Sequence, residues 1–334
     1  MERGGACLGR GEAGRGEVKA RPAAERVAVF APFHEPSMAV LSTRYDVVPI
    51  GGGASRMQVL AELADSVRIA VCNGQIGMSR AEMAALHRLE LIACYGVGYD
   101  GIDVAAARQA GIAVTNTPRV LDECVADLAM GLVIDVIRKV SLADRFSRAG
   151  RWLEQPFPLT DHVHGKTMGI LGLGNIGKAI ARRAEAFRMP VCYAGRHRQP
   201  VRHAYYPDVE TLAAASDVLV VAVPGGAATR ALVDQPVLDA LGPRGYLVNV
   251  SRGSVVDEPA LVRALEQGRI AGAALDVFED EPHIPESLRR MDSVVLQPHV
   301  ASGTEFTRAA MGTLLLDNVQ AFVEGRALVS PVLA

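Results

Sequence analysis

The sequence predicts an α/β protein built from two doubly wound parallel-sheet units. Three observations carry that expectation. Short runs rich in Val, Ile, Leu and Ala alternate with segments of helical periodicity, the pattern of parallel strands joined by crossover helices. Many of these runs are apolar without interruption, as strands covered by helices on both faces must be. The alternation also occurs twice, on either side of a break at NTPRV around Pro118, and 334 residues suit two domains of roughly 150 residues each.

Residues 1–25 are rich in Gly, Arg, Ala and Glu and lack periodicity, so a disordered tail is expected there. They hold no apolar stretch of the kind a secretory signal needs. Order begins at Arg26, with VAVFA, YDVVPI, RIAVCN, LIACYG and AVTN as strands. Between them lie helical patterns such as SRAEMAALHRL, where Ser79 is a natural N-cap. After Pro118 a long helix is expected from about Glu123 to Ala149, ended by Gly150. The second series runs TMGILG, VCYAG, DVLVVAV, YLVNV, AGAALDV and SVVLQP. A last helix is expected from about Glu305 to Glu324.

Bulk properties exclude several classes of function. The 35 basic and 37 acidic residues leave a net charge of −2, no electrostatic footprint for nucleic acid or an anionic membrane. No apolar run approaches the ~20 residues that span a bilayer. The 5 cysteines (Cys7, Cys72, Cys94, Cys124 and Cys192) form no C-x-x-C, and three sit in apolar strand-like runs. Free thiols in a reducing compartment are expected, hence a cytoplasmic protein. His162 and His164 form an H-x-H without neighbouring ligand residues, so no metal site is expected. His34 and His87 read as surface or packing residues.

The sharpest local motif is GLGNIG, Gly172 to Gly177, between the strand TMGIL and a helix expected over Asn175–Arg188. In that context Gly172 allows a tight turn and Gly174 lets backbone approach a pyrophosphate. Gly177 permits close helix–strand packing, and the helix N-terminus attracts phosphate. This is a Rossmann dinucleotide site. Its second strand should end in an Asp or Glu that holds the ribose hydroxyls of NAD. Gly195 stands there instead, followed by Arg196, His197 and Arg198. Without the carboxylate, and with two guanidiniums at hand, a 2′-phosphate is favoured, so NADP(H) is the expected cofactor.

Polar residues also follow three later strands: Arg252 in NVSRGS, Glu281 in LDVFEDEP and His299 in QPHVASG. Open α/β sheets bind ligands beyond the carboxyl ends of their strands. Arg can clamp a carboxylate bidentately, and His can supply the proton a carbonyl oxygen takes up as hydride reaches carbon. A carboxylate beside an imidazole favours its charged form and fixes its orientation. Singly, each residue also has a plain structural reading: a turn cap, a surface acid, a packed histidine.

Together these segments, with YGVGYDGID, VTNTPRVLDECVADLAMGL and GILGLGNIGKAIA, resemble the D-isomer-specific 2-hydroxyacid dehydrogenase family from about Val27 to Pro331. Within it they look most like the NADPH-dependent glyoxylate/hydroxypyruvate reductases and the related hydroxyphenylpyruvate reductases. The resemblance implies a flavodoxin-like substrate domain of residues 26–117 and 301–334, a Rossmann domain of residues 118–300, and an active site in the cleft between them. It implies that Arg252 and the Val97 and Gly98 amides bind substrate, that His299 is the acid–base, and that Glu281 is its partner. It further implies that Asp276 bonds the nicotinamide carboxamide, that Gly174, Asn175 and Ile176 face the pyrophosphate, and that Pro224, Val250 and Gly303 line the cofactor. A homodimer paired through the cofactor domains is implied too, with the apolar helix around Leu128–Ile137 as the expected contact. Trp152 is either interface packing or a visitor to the partner's pocket. The expected reaction is reduction of a small 2-keto acid such as glyoxylate or hydroxypyruvate. Aryl-pyruvate reduction, or a non-catalytic corepressor-like sensor on the same fold, are the alternatives.

Overall fold

A computed structural model describes residues 25–53 and 55–332. Of the tail expected over residues 1–25, residues 1–24 lie outside the described residues, and Glu25 pairs with Arg68 at 3.0 Å.

The first five strands are β1 (Arg26–Val29), β2 (Asp46–Pro49), β3 (Ile69–Cys72), β4 (Leu91–Cys94) and β5 (Ala113–Thr115). They form one sheet in the order β2-β1-β3-β4-β5, parallel throughout. That order is the flavodoxin-like form of the doubly wound fold. The helices between them are α1 (Glu35–Arg44), α2 (Arg56–Glu62), α3 (Arg80–Ala85) and α4 (Val104–Gln109). Ser79 caps α3 as expected: it accepts from the Glu82 amide, and the Glu82 carboxylate reaches back to the Ser79 amide. The β3 and β4 strands, IAVC and LIAC, are buried at every position, which explains their uninterrupted apolar character.

After α5 (Asp122–Arg138) and α6 (Val140–Arg148) comes the second sheet. Its strands are β6 (Met168–Leu171), β7 (Val191–Ala194), β8 (Ala204–Tyr206), β9 (Val218–Val221), β10 (Tyr246–Asn249), β11 (Gly272–Leu275) and β12 (Val294–Leu296). The order β12-β11-β10-β9-β6-β7-β8 is again all parallel, and it reverses direction between β6 and β9. This is the Rossmann order with one further strand. Helices α7 (Asn175–Ala186), α8 (Val209–Ala214), α9 (Gln235–Leu241), α10 (Glu258–Glu266) and α11 (Glu286–Arg290) cover it, and α12 (Glu305–Val323) returns to pack on α1 and β4.

One expectation needs correction. The single helix of about Glu123–Ala149 is two, because Lys139 adopts a left-handed conformation (φ 54°) between α5 and α6. The reason lies in Asp135, whose carboxylate accepts from the Ser141 amide at 2.8 Å and satisfies a donor in the first turn of α6. Much of the apolar face of α5 is covered within the chain. Val125, Ala129, Met130, Val133, Val136 and Ile137 are buried against α7, β10 and β11 in the largest hydrophobic cluster. That cluster also takes in residues of β1, β3 and β4.

Candidate active site

The carboxyl ends of both sheets open on one cleft of about 930 Å³. Loops after β1, β3 and β4 supply one wall, and loops after β6, β9, β10, β11 and β12 supply the other. The expected residues Val97, Gly98, Gly174, Asn175, Ile176, Pro224, Val250, Arg252, Asp276, Glu281 and His299 all line it. Gly303 lies just outside, one residue beyond Ser302.

The cleft fits a dinucleotide at its β6 end. Gly172 turns with φ +98°, and a Cβ on Gly177 would lie 2.1 Å from the Gly172 carbonyl oxygen, so α7 can approach the turn only with glycine there. Gly174 and Asn175 are exposed, and no side chain caps the α7 N-terminus, whose N–H groups stay available to an anion. Arg196, His197 and Arg198 are exposed beyond β7 and do not line the cleft itself. Gln199 anchors their loop: its side-chain amide donates to the Leu173 carbonyl at 2.7 Å, beside the glycine turn. Sequence reading missed this tie, since nothing local marks a glutamine as an anchor.

Arg252, Glu281 and His299 meet across the cleft floor. His299 Nδ1 lies 2.7 Å from Glu281 Oε2, which leaves Nε2 as the nitrogen free for a ligand. Burial opposes ionisation of Glu281, but the hydrogen bond and charge of His299, the Phe278 amide and the Arg252 charge outweigh it and hold the carboxyl below its ordinary value. His299 itself sits at φ 54°, a strained conformation for a side chain with a Cβ. Asp276 imposes it. The His299 amide donates to the Asp276 carbonyl at 2.8 Å, and the Asp276 carboxylate accepts from the Val300 and Ala301 amides at 2.7 and 2.9 Å. Burial nevertheless raises the Asp276 pKa, with those amides and the His299 charge opposing.

Arg252 is held by Asp100 and Ser251, which motif reading passed over, and by Gly98, which it named. Its Nε is within 3.1 Å of Asp100, and its Nη1 donates to the Ser251 carbonyl at 2.8 Å. Its Nη2 packs over Gly98, only 1.7 Å from where a Cβ would stand. Gln75, from the loop after β3, donates to the Glu281 carboxylate. Asp122 also faces the cleft; burial, then Glu123, push its carboxyl upward against Arg119. His34, expected to be a surface or packing residue, lines the cleft with its Nδ1 on Ser37 at 2.9 Å. Among the described residues there is no cluster of three or more His, Cys, Asp or Glu that could hold a metal, and no helix long and apolar enough to cross a membrane.

A Rossmann unit facing a flavodoxin-like unit, with an Arg and a His–carboxylate pair between them, is the architecture of a nicotinamide-dependent oxidoreductase. Residues 130–301 match the family model described as D-isomer specific 2-hydroxyacid dehydrogenase, NAD binding domain. The chain belongs to that family. It is 45% identical over 293 residues to glyoxylate/hydroxypyruvate reductase A of Arabidopsis thaliana, covering 87% of this chain and 94% of that protein. It is 46% identical to hydroxyphenylpyruvate reductase of Plectranthus scutellarioides, covering 82% of this chain and 88% of that one. A solved structure from Sinorhizobium meliloti, an NADPH-dependent glyoxylate/hydroxypyruvate reductase in complex with NADP and malonate, superposes with a TM-score of 0.87 at 42% identity, covering 92% of this chain and 96% of that one.

Proposed function

We propose that this enzyme reduces small 2-keto acids, glyoxylate and hydroxypyruvate among them, to D-2-hydroxy acids with NADPH preferred over NADH. The observation that carries the reading is the convergence of Arg252 and the Glu281–His299 pair in one cleft with the open N-terminus of α7. The substrate domain is residues 26–117 and 301–334, and the cofactor domain is residues 118–300.

Gly172, Gly174, Asn175, Ile176 and Gly177 would hold the pyrophosphate, Arg196, His197 and Arg198 the 2′-phosphate, and Pro224, Val250 and Gly303 the nucleoside ends. Asp276 would face the carboxamide while it braces His299. When bound, the cofactor supplies the hydride. Arg252, with the Val97 and Gly98 amides, binds the substrate carboxylate and orients the carbonyl. His299 donates its Nε2 proton to the carbonyl oxygen, because Nδ1 is engaged by Glu281. Glu281 stabilises the imidazolium before transfer and keeps the ring aimed.

A second reading, reduction of aryl-pyruvates, has one observation in its favour: Phe33 and Tyr95 stack with centroids 5.1 Å apart beside the cleft. The deciding experiment follows loss of reduced-nicotinamide absorbance across a panel of glyoxylate, hydroxypyruvate, pyruvate and hydroxyphenylpyruvate. Turnover of the small acids is expected to dominate. Absence of any turnover would point instead to a nucleotide sensor.

We also propose a homodimer in the cytoplasm. Beside the α5 helix around Leu128–Ile137, the segment after α6 offers a contact, with Trp152, Leu153 and Leu159 73%, 93% and 101% exposed. Cys72, Cys94, Cys124 and Cys192 are free, which suits a reducing compartment.

A further inference from the structure

Most charged groups of the cleft are matched, while Asp122 and Arg308 have no ion-pair partner among the described residues. Arg252 meets Asp100, Glu281 meets His299, and the Asp276 carboxylate accepts two amides. Arg308, on the second turn of α12, also lines the cleft. Among the described residues, no carboxylate pairs with its guanidinium. Its backbone is fixed, because Tyr95 Oη donates to the Arg308 carbonyl at 2.9 Å. Its guanidinium carbon stands 5.9 Å from the Tyr95 ring centroid, a loose contact with a neutral side chain that offers it no counter-charge. Glu305, one turn earlier on α12, is turned outward and lies near His34 instead.

A guanidinium carries no acceptor and cannot lose its charge, so a half-buried one facing a ligand cleft selects for ligand oxygens. Arg252 already accounts for the carboxylate next to the keto group. We propose that Arg308 is a specificity-determining residue that binds the far end of the substrate, and that the preferred substrates are 2-keto acids ending in a second carboxylate. This rests on the keto-acid reductase reading above and narrows its substrate class. A carboxylate can take two parallel N–H bonds from the planar fork, whereas a methyl group at the same place leaves those donors facing it unpaired.

The test uses substrate pairs matched in length: oxaloacetate against 2-oxobutanoate, and 2-oxoglutarate against 2-oxopentanoate. For at least one pair, kcat/KM is expected to favour the diacid by about tenfold or more, the scale of a charge-assisted pair. Arg308→Met, which keeps the bulk of the stem, should collapse that ratio mainly through KM of the diacid, and Arg308→Lys should restore part of it. Cofactor titration and a thermal melt of each variant establish that it is folded. An unmoved ratio in Arg308→Met, or faster turnover of phenylpyruvate than of either diacid, overturns the proposal and leaves the reductase reading standing. Failure to turn over any keto acid, glyoxylate included, overturns both.

Discussion

Arg252 Nε lies 3.1 and 3.2 Å from the two carboxylate oxygens of Asp100, and this pair joins the loop after β10 to the loop after β4. The two side chains are only 22% and 23% exposed, so solvent screens the pair less than it would a surface bridge. The contact ties the two sheets together at the point where substrate would bind. It also leaves Arg252 Nη2 resting on Gly98, so two residues of YGVGYDGID set where the guanidinium points.

Asp100→Asn should therefore raise KM for keto acids several-fold with a smaller effect on kcat, because the guanidinium loses its orienting charge. Gly98→Ala should be worse, since its methyl group would occupy the space of Nη2. Misplacement by about an ångström can cost on the order of 10²-fold in kcat/KM. Steady-state kinetics on both variants checks the order; equal kinetics for Gly98→Ala and wild type would refute it.

Glu281 makes a pH prediction. Its carboxyl is held below the ordinary value in the folded protein, chiefly by His299 against the opposing effect of burial. Its contribution to stability is then present above the unfolded value of about 4.3 and lost as pH falls through the lower folded value. Melting temperatures of wild type and Glu281→Gln should differ by a constant amount near neutrality and converge in acid. In kinetics, His299→Ala should lose about 10²–10⁴-fold in kcat while still binding cofactor, as expected for removal of a general acid.

Gly177→Ala tests the nucleotide turn. The added methyl would meet the Gly172 carbonyl, and forcing the turn open should cost about 1–3 kcal/mol of stability, as overpacking does. Cofactor affinity should fall in parallel, because the turn and the α7 N-terminus move together. A denaturant melt with a cofactor titration measures both.

The basic loop predicts cofactor choice. Arg196→Ala should raise KM for NADPH by about tenfold while changing that for NADH little, and added salt should narrow the gap because both arginines are exposed. Equal use of both cofactors by the wild-type enzyme would sink the reading of this loop as a phosphate clamp.

Light scattering should return a dimer mass at micromolar concentration. Replacing Leu153 and Leu159 by Glu should shift it to monomer if the exposed segment after α6 is the contact. A dimer that survives both substitutions must pair elsewhere.

Both sheets, their parallel sense and the glycine turn were legible in the sequence, because they depend on local pattern: apolar runs of strand length, helical spacing and glycines at set intervals. Arg252, Glu281 and His299 stood out for the same reason, as polar residues just past apolar strands. Resemblance supplied their roles, which spacing alone left open. What only the tertiary structure decided depends on residues far apart in the chain. Asp100 is 152 positions from the Arg252 it orients, and Gln75 is 206 from Glu281. The exposed or buried fate of the α5 face likewise turned on α7 and the second sheet, and its break at Lys139 on a capping carboxylate four residues earlier. Arg308 carries no local mark in the sequence; only the packing of α12 against β4 brings it to the cleft. Periodicity records which face of an element is covered; it carries no record of what covers it.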